Sequence, residues 1–137
     1  MNVQVTDSES ATGTVGEQFA TSLEPGDVVL LYGDLGAGKT AFVRGMARGL
    51  GANPEDVSSP TFTIVQEYAT PSLTLYHVDL YRLEPAEIED LGLDEMIFGD
   101  GIVAIEWADR WPGRPRAVKE VRIEAVGELQ RKVTISD

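Results

Sequence analysis

The chain has 137 residues, with 23 acidic side chains against 11 basic ones and a net charge of −12 at pH 7. A surface that acidic repels nucleic acid and anionic lipid, which disfavours direct capture of RNA or DNA by this chain alone. No apolar run approaches the roughly 18 residues of a membrane span, and the absence of cysteine excludes disulfides and thiolate metal centres.

Length and a hydrophobic content of 42% predict one globular domain over residues 1–137. The opening Met1-Asn2-Val3-Gln4-Val5 lacks the basic-then-apolar order of a secretory signal, so the expected compartment is the cytoplasm. Val3 and Val5 suggest a short first strand. Ser8 fits the cap of a helix over about 9–22, with Val15, Phe19, Ala20 and Leu23 on one face. Thr12 precedes the next strand by enough to lie near a nucleotide base, or to serve in capping alone.

The turn Glu24-Pro25-Gly26-Asp27 feeds an apolar strand at 28–32. Directly after it comes Gly33-Asp34-Leu35-Gly36-Ala37-Gly38-Lys39-Thr40, which fits G-x-x-x-x-G-K-[ST], the phosphate-binding P-loop. Its glycines let successive backbone N–H groups turn inward, Lys39 brings a mobile cation to the terminal phosphates, and Thr40 offers a hydroxyl to Mg²⁺. A helix from 39 to about 50 then aims its positive N-terminal end at the same anion, burying Phe42, Val43, Met46, Ala47 and Leu50.

Beyond Gly51 the segment 57–65 carries Ser58, Ser59, Thr61 and Thr63 around Pro60 and runs into a β-like alternation. A hydroxyl in such a loop often senses Mg²⁺ or the γ-phosphate, so Thr61 is either that sensor or the first residue of a strand. Residues 73–79 read as a strand ending in Asp79. Residues 101–106 read as a more central one ending in Glu106. Ligands of open α/β sheets sit at the carboxyl ends of the strands, so Asp79 and Glu106 are expected to converge on the loop holding Lys39. One would serve the metal and the other a hydrolytic water, or either could be a helix cap; sequence does not separate these roles.

His77, the one histidine, shares a strand face with Asp79 and reads as a packed residue or a support for the site. Arg82, the one base between Arg48 and Arg110, either stabilises charge in the reaction or pairs with the acids that follow. A short helix is predicted over 85–91, a loop over 111–115, and a closing hairpin from 118–126 and 131–135. Seven acids and no base fall between Glu84 and Asp100, either a solvated face or a dock for a basic partner. The pattern predicts an α/β, P-loop NTPase-like three-layer sandwich. Its sheet is mixed and mostly parallel, with helices on both faces and a C-terminal β-hairpin. No asparagine is followed by lysine, so the guanine-reading N-K-x-D is absent and ATP is preferred to GTP.

The runs from Gly33 to Gly45, Ser58 to Tyr68, Tyr76 to Arg82, Leu91 to Leu93 and Ile105 to Trp107 together resemble the bacterial TsaE family. These are small P-loop ATPases of tRNA threonylcarbamoyladenosine synthesis. The resemblance covers nearly the whole chain. It implies an ATPase that works with TsaB- and TsaD-type proteins, slow alone and activated in their complex, supporting turnover of the transferase without transferring the group itself. The tRNA would be held by those partners, and no membrane is involved.

By the same resemblance, the phosphates fall to Gly33, Asp34, Leu35, Gly36, Ala37, Gly38, Lys39 and Thr40. Mg²⁺ falls to Thr40 with Asp79 and Glu106, which also form the hydrolytic centre with Lys39. Thr61 falls in a switch-like loop, Trp107 against the site, and Thr12 near the nucleotide. A small P-loop kinase and a switch that binds nucleotide without hydrolysis are the alternatives.

Overall fold

The computed structural model describes residues 2–33, 38–53, 65–71, 73–81, 83–90, 92–93, 99–107 and 118–136. In chain order the elements are β1 (Asn2–Thr6), α1 (Glu9–Ala20), β2 (Val28–Tyr32), α2 (Lys39–Gly49), β3 (Val65–Ala69) and β4 (Thr74–Asp79). They continue with α3 (Pro85–Glu89), β5 (Ile102–Glu106), β6 (Lys119–Ala125) and β7 (Arg131–Ser136). The strands form one mixed sheet in the order β1-β7-β6-β2-β5-β4-β3, an α/β fold as expected. Parallel pairing joins β4, β5, β2 and β6 at the centre, and antiparallel pairs finish both sides.

This order follows from the side chains. β2 and β5 are apolar on both faces because each has strands on either side and packed layers above and below. On one face Val29, Leu31, Ala104, Val121 and Ile123 pack under α1 and α2. On the other Leu30, Val78, Val103 and Ile105 pack with Ile88 of α3. The predicted hairpin forms from β6 and β7, closed by the Val126 N–H donating to the Gln130 carbonyl at 3.1 Å. No helix among the described residues is long and apolar enough to cross a membrane.

Boundaries moved where local bonds decided them. α1 stops at Ala20, where the Thr21 hydroxyl turns back to the Gln18 carbonyl at 2.7 Å. Of the segment 57–65 only Val65 is described, and it opens a strand that runs on to Ala69. The reason is the tight Thr70–Leu73 turn, closed by the Thr70 N–H on the Leu73 carbonyl at 2.9 Å, which folds β3 back on β4. α3 covers Pro85–Glu89, and Leu91 and the loop at 111–115 lie outside the described residues.

Ser8 caps α1 as expected, its Oγ accepting from the Ala11 N–H at 3.0 Å. Ser8→Ala should lower unfolding free energy by about 1 kcal/mol, read as an earlier urea midpoint at unchanged slope. An unchanged midpoint would mean water replaces the cap at no cost.

Candidate functional site

The apolar β2 delivers the chain to Gly33, and α2 starts at Lys39 with Gly38 as its N-cap. Gly33 and Gly38 have φ of +146° and +108°, backbone that side-chain-bearing residues rarely adopt. At Gly38 it is the angle rather than space that requires glycine, since an added Cβ would lie 3.6 Å from Thr12 Cγ2 and 3.7 Å from Ile123 Cγ2. Gly38, as N-cap, offers no side chain to the first-turn N–H groups of α2, which include that of Thr40, and a helix end of this kind favours an anion.

Lys39 is 4% exposed, and among the described residues its ammonium meets several electron-rich groups. It donates to the Gly33 carbonyl at 2.6 Å, approaches Glu106 Oε1 at 3.7 Å, and lies 4.3 Å from the centre of the Trp107 ring. Taking that charge out of water costs several kcal/mol, and these contacts offset the cost. Glu106 ends β5, and its register partner on β4 is Asp79, so both carboxylates leave the sheet at one level. Burial raises the Asp79 carboxyl above its ordinary value. The Tyr81 N–H, donating at 2.9 Å, works against this, and the Glu106 charge adds to it. The Lys39 charge also pulls it down.

Trp107 turns the chain directly after Glu106 with φ of +63°, a strained angle for a bulky residue. Its ring meets Tyr81 at 4.8 Å between centroids. A cavity of about 690 Å³, within the range of small-molecule sites, opens here. Its lining includes Tyr32, Gly33, Lys39, Trp107 and Arg122.

Among the residues expected to act together, Gly33, Glu106 and Trp107 meet around the Lys39 ammonium, Gly38 precedes Lys39 as the N-cap of α2, and Asp79 sits beside Glu106. Thr12 is buried against Gly38, but its hydroxyl is engaged, 2.7 Å from Thr6 Oγ1 and donating to the Ser8 carbonyl at 3.2 Å. Asp34, Leu35, Gly36, Ala37, Thr61 and Arg82 lie outside the described residues. Two contacts escaped the sequence reading. His77 reaches across to Glu106, and Tyr81 packs on Trp107. The alternation of His77 with Asp79 named the right face but not the neighbour strand, whose pairing is a tertiary fact.

The donors fit a magnesium-bound polyphosphate. Thr40, Asp79 and Glu106 offer hard oxygen ligands, and no cluster of three carboxylate or imidazole ligands exists among the described residues. That set suits an ion carried largely by phosphates and water rather than a protein cage.

Comparison with known proteins places the chain. The model of a family described as threonylcarbamoyl adenosine biosynthesis protein TsaE matches residues 6–133. The protein named tRNA threonylcarbamoyladenosine biosynthesis protein TsaE of Bacillus subtilis is 44% identical over 126 residues, 91% of this chain and 78% of the relative. Its namesake in Treponema pallidum is 39% identical over 134 residues, 96% of this chain and 98% of the relative. The crystal structure of Bacillus subtilis YdiB matches with a TM-score of 0.78 at 35% identity, covering 98% of this chain and 83% of that one.

Proposed function

The chain belongs to the TsaE family, and on that footing we propose that it binds and hydrolyses Mg²⁺–ATP in support of tRNA threonylcarbamoyladenosine synthesis. The observation that carries the reading is the loop lysine held 3.7 Å from a buried carboxylate at the end of the neighbouring strand. A cation for the phosphates and a base for water are thereby brought to one place.

On binding, Lys39 exchanges the Gly33 carbonyl and Glu106 for phosphate oxygens. The first N–H groups of α2 hold the same anion. Thr40 and Asp79 would hold the magnesium ion, which would supply neutralisation of the charge on the phosphates. Glu106 orients a water for attack on the terminal phosphorus and accepts its proton as the bond to the leaving diphosphate oxygen breaks. Trp107 and Tyr81 shield that step from bulk water.

Proteins of the TsaB and TsaD type are the proposed partners, in the cytoplasm, with tRNA contacted through them. A net charge of −12 supports an indirect role toward RNA. Turnover by the chain alone is slow in this reading, because Arg82 is the one base between Arg48 and Arg110 and an arginine supplied by a partner raises the rate of such sites by about 10³ to 10⁵.

The test measures phosphate release and thermal melting with Mg²⁺–ATP, alone and with the two partner proteins. ATP should raise the melting temperature, and the partners should raise the rate. Lys39→Ala should lose the ATP-dependent melting shift, since it removes the loop's cation. A parent chain showing neither a melting shift nor phosphate release, alone or with partners, would overturn the proposal.

A further inference from the structure

His77 is fully buried on β4, with Nε2 2.6 Å from Glu106 Oε2 on β5. The register explains the reach. His77 pairs with Ala104, and Glu106 pairs with Asp79, so the imidazole crosses to the carboxylate beside the small side chain of Ala104. The other ring nitrogen, Nδ1, is buried and meets no partner among the described residues.

A carboxylate only accepts hydrogen bonds, so Nε2 carries the proton. A bare Nδ1 lone pair is less costly to bury than an unmade N–H donor, which selects the neutral Nε2–H tautomer. The two oxygens of Glu106 are thus divided: Oε2 is occupied by His77, and Oε1 faces Lys39 at 3.7 Å.

We infer that His77 is a positioning residue that anchors Oε2 of Glu106, so that Oε1 alone works on the phosphate side of the site. The inference rests on the hydrolysis reading above for its kinetic consequence, but the tautomer and the anchor stand without it. When Lys39 leaves Glu106 for phosphate, the carboxylate loses one of its two partners. His77 is the one that stays, and it keeps the side chain from swinging away from the position in which it meets water. Supports of this kind commonly change activity about 10- to 100-fold when removed.

Two variants test it. His77→Leu removes the donor, and His77→Gln keeps an amide N–H near the Nε2 position. The expected result is a kcat lower by about 10- to 100-fold in His77→Leu, with KM for ATP unchanged, and recovery of most of kcat in His77→Gln. On a Glu106→Gln background His77→Leu should add no further loss, because it acts through that carboxylate. Equal kcat in His77→Leu and the parent, or equal loss in both histidine variants, would overturn the positioning role.

Because this is the chain's one histidine, ¹⁵N-histidine labelling of the untagged protein without nucleotide gives the spectrum of a single imidazole. It should report the Nε2–H tautomer with slow proton exchange, and its shifts should move in Glu106→Gln. An Nδ1–H tautomer, or an imidazole indifferent to Glu106→Gln, would overturn the anchor even if His77→Leu fails to fold. Absence of phosphate release by the parent with an Nε2–H signal would sink the hydrolysis reading and leave the anchor standing.

Discussion

Glu106→Gln should reduce ATP turnover by about 10²-fold or more, the range for loss of a positioned general base, while nucleotide still binds. The substitution keeps size and hydrogen-bonding reach, so His77 Nε2–H still finds an oxygen acceptor, and Lys39 loses only a 3.7 Å charge partner. Before nucleotide binds, Lys39 keeps the Gly33 carbonyl and the Trp107 ring, and phosphate replaces the missing anion once ATP is bound. The change therefore falls on the step in which water loses its proton rather than on binding. Phosphate release is read alongside the ATP-dependent rise in melting temperature. Full turnover in Glu106→Gln would remove this residue from the chemistry and return the role to Asp79, its register neighbour.

Gly45→Ala is expected to cost about 3 kcal/mol or more, the upper range for overpacking against atoms that cannot move aside. An added Cβ would lie 1.8 Å from the backbone carbonyl oxygen of Gly13. Relief requires α1 and α2 to separate, opening the layer that contains Phe19, Phe42, Val43 and Met46. Alanine's better helix propensity returns only about 1 kcal/mol, so the clash wins.

Gly13→Ala at the same crossing is the control. Its Cβ would meet its nearest atoms at 3.4 Å, an ordinary contact, so stability there should hold or rise slightly. Chemical denaturation of both variants decides the matter. Equal stability of Gly45→Ala and Gly13→Ala would mean that the helices adjust their spacing freely. The crossing also bears on the site, because α1 carries Thr12 against Gly38 and α2 carries Lys39. A Gly45→Ala protein that still folds should also bind ATP more weakly.

Sequence alone determined the parts whose causes are local. Periodicity and capping placed α1 at Ser8. An uninterrupted apolar run marked β2 as a strand and β5 as a central one. The spacing of Gly33, Gly38, Lys39 and Thr40 marked where β2 ends and α2 begins, because the end of a strand and the start of a helix are written in adjacent residues. The placement of two acids at strand ends was legible for the same reason.

Only the tertiary structure decided which strands are neighbours, and with that which side chains meet. β5 lies between β2 and β4, bringing Glu106 to Lys39 on one side and to His77 on the other. Residues 29 and 67 positions away along the chain from Glu106 carry no mark of that meeting in their local pattern, since strand pairing is settled by the packing of whole faces. The need for Gly16 and Gly45 likewise appears only at the helix crossing, where an added Cβ on either would strike the backbone of the other helix.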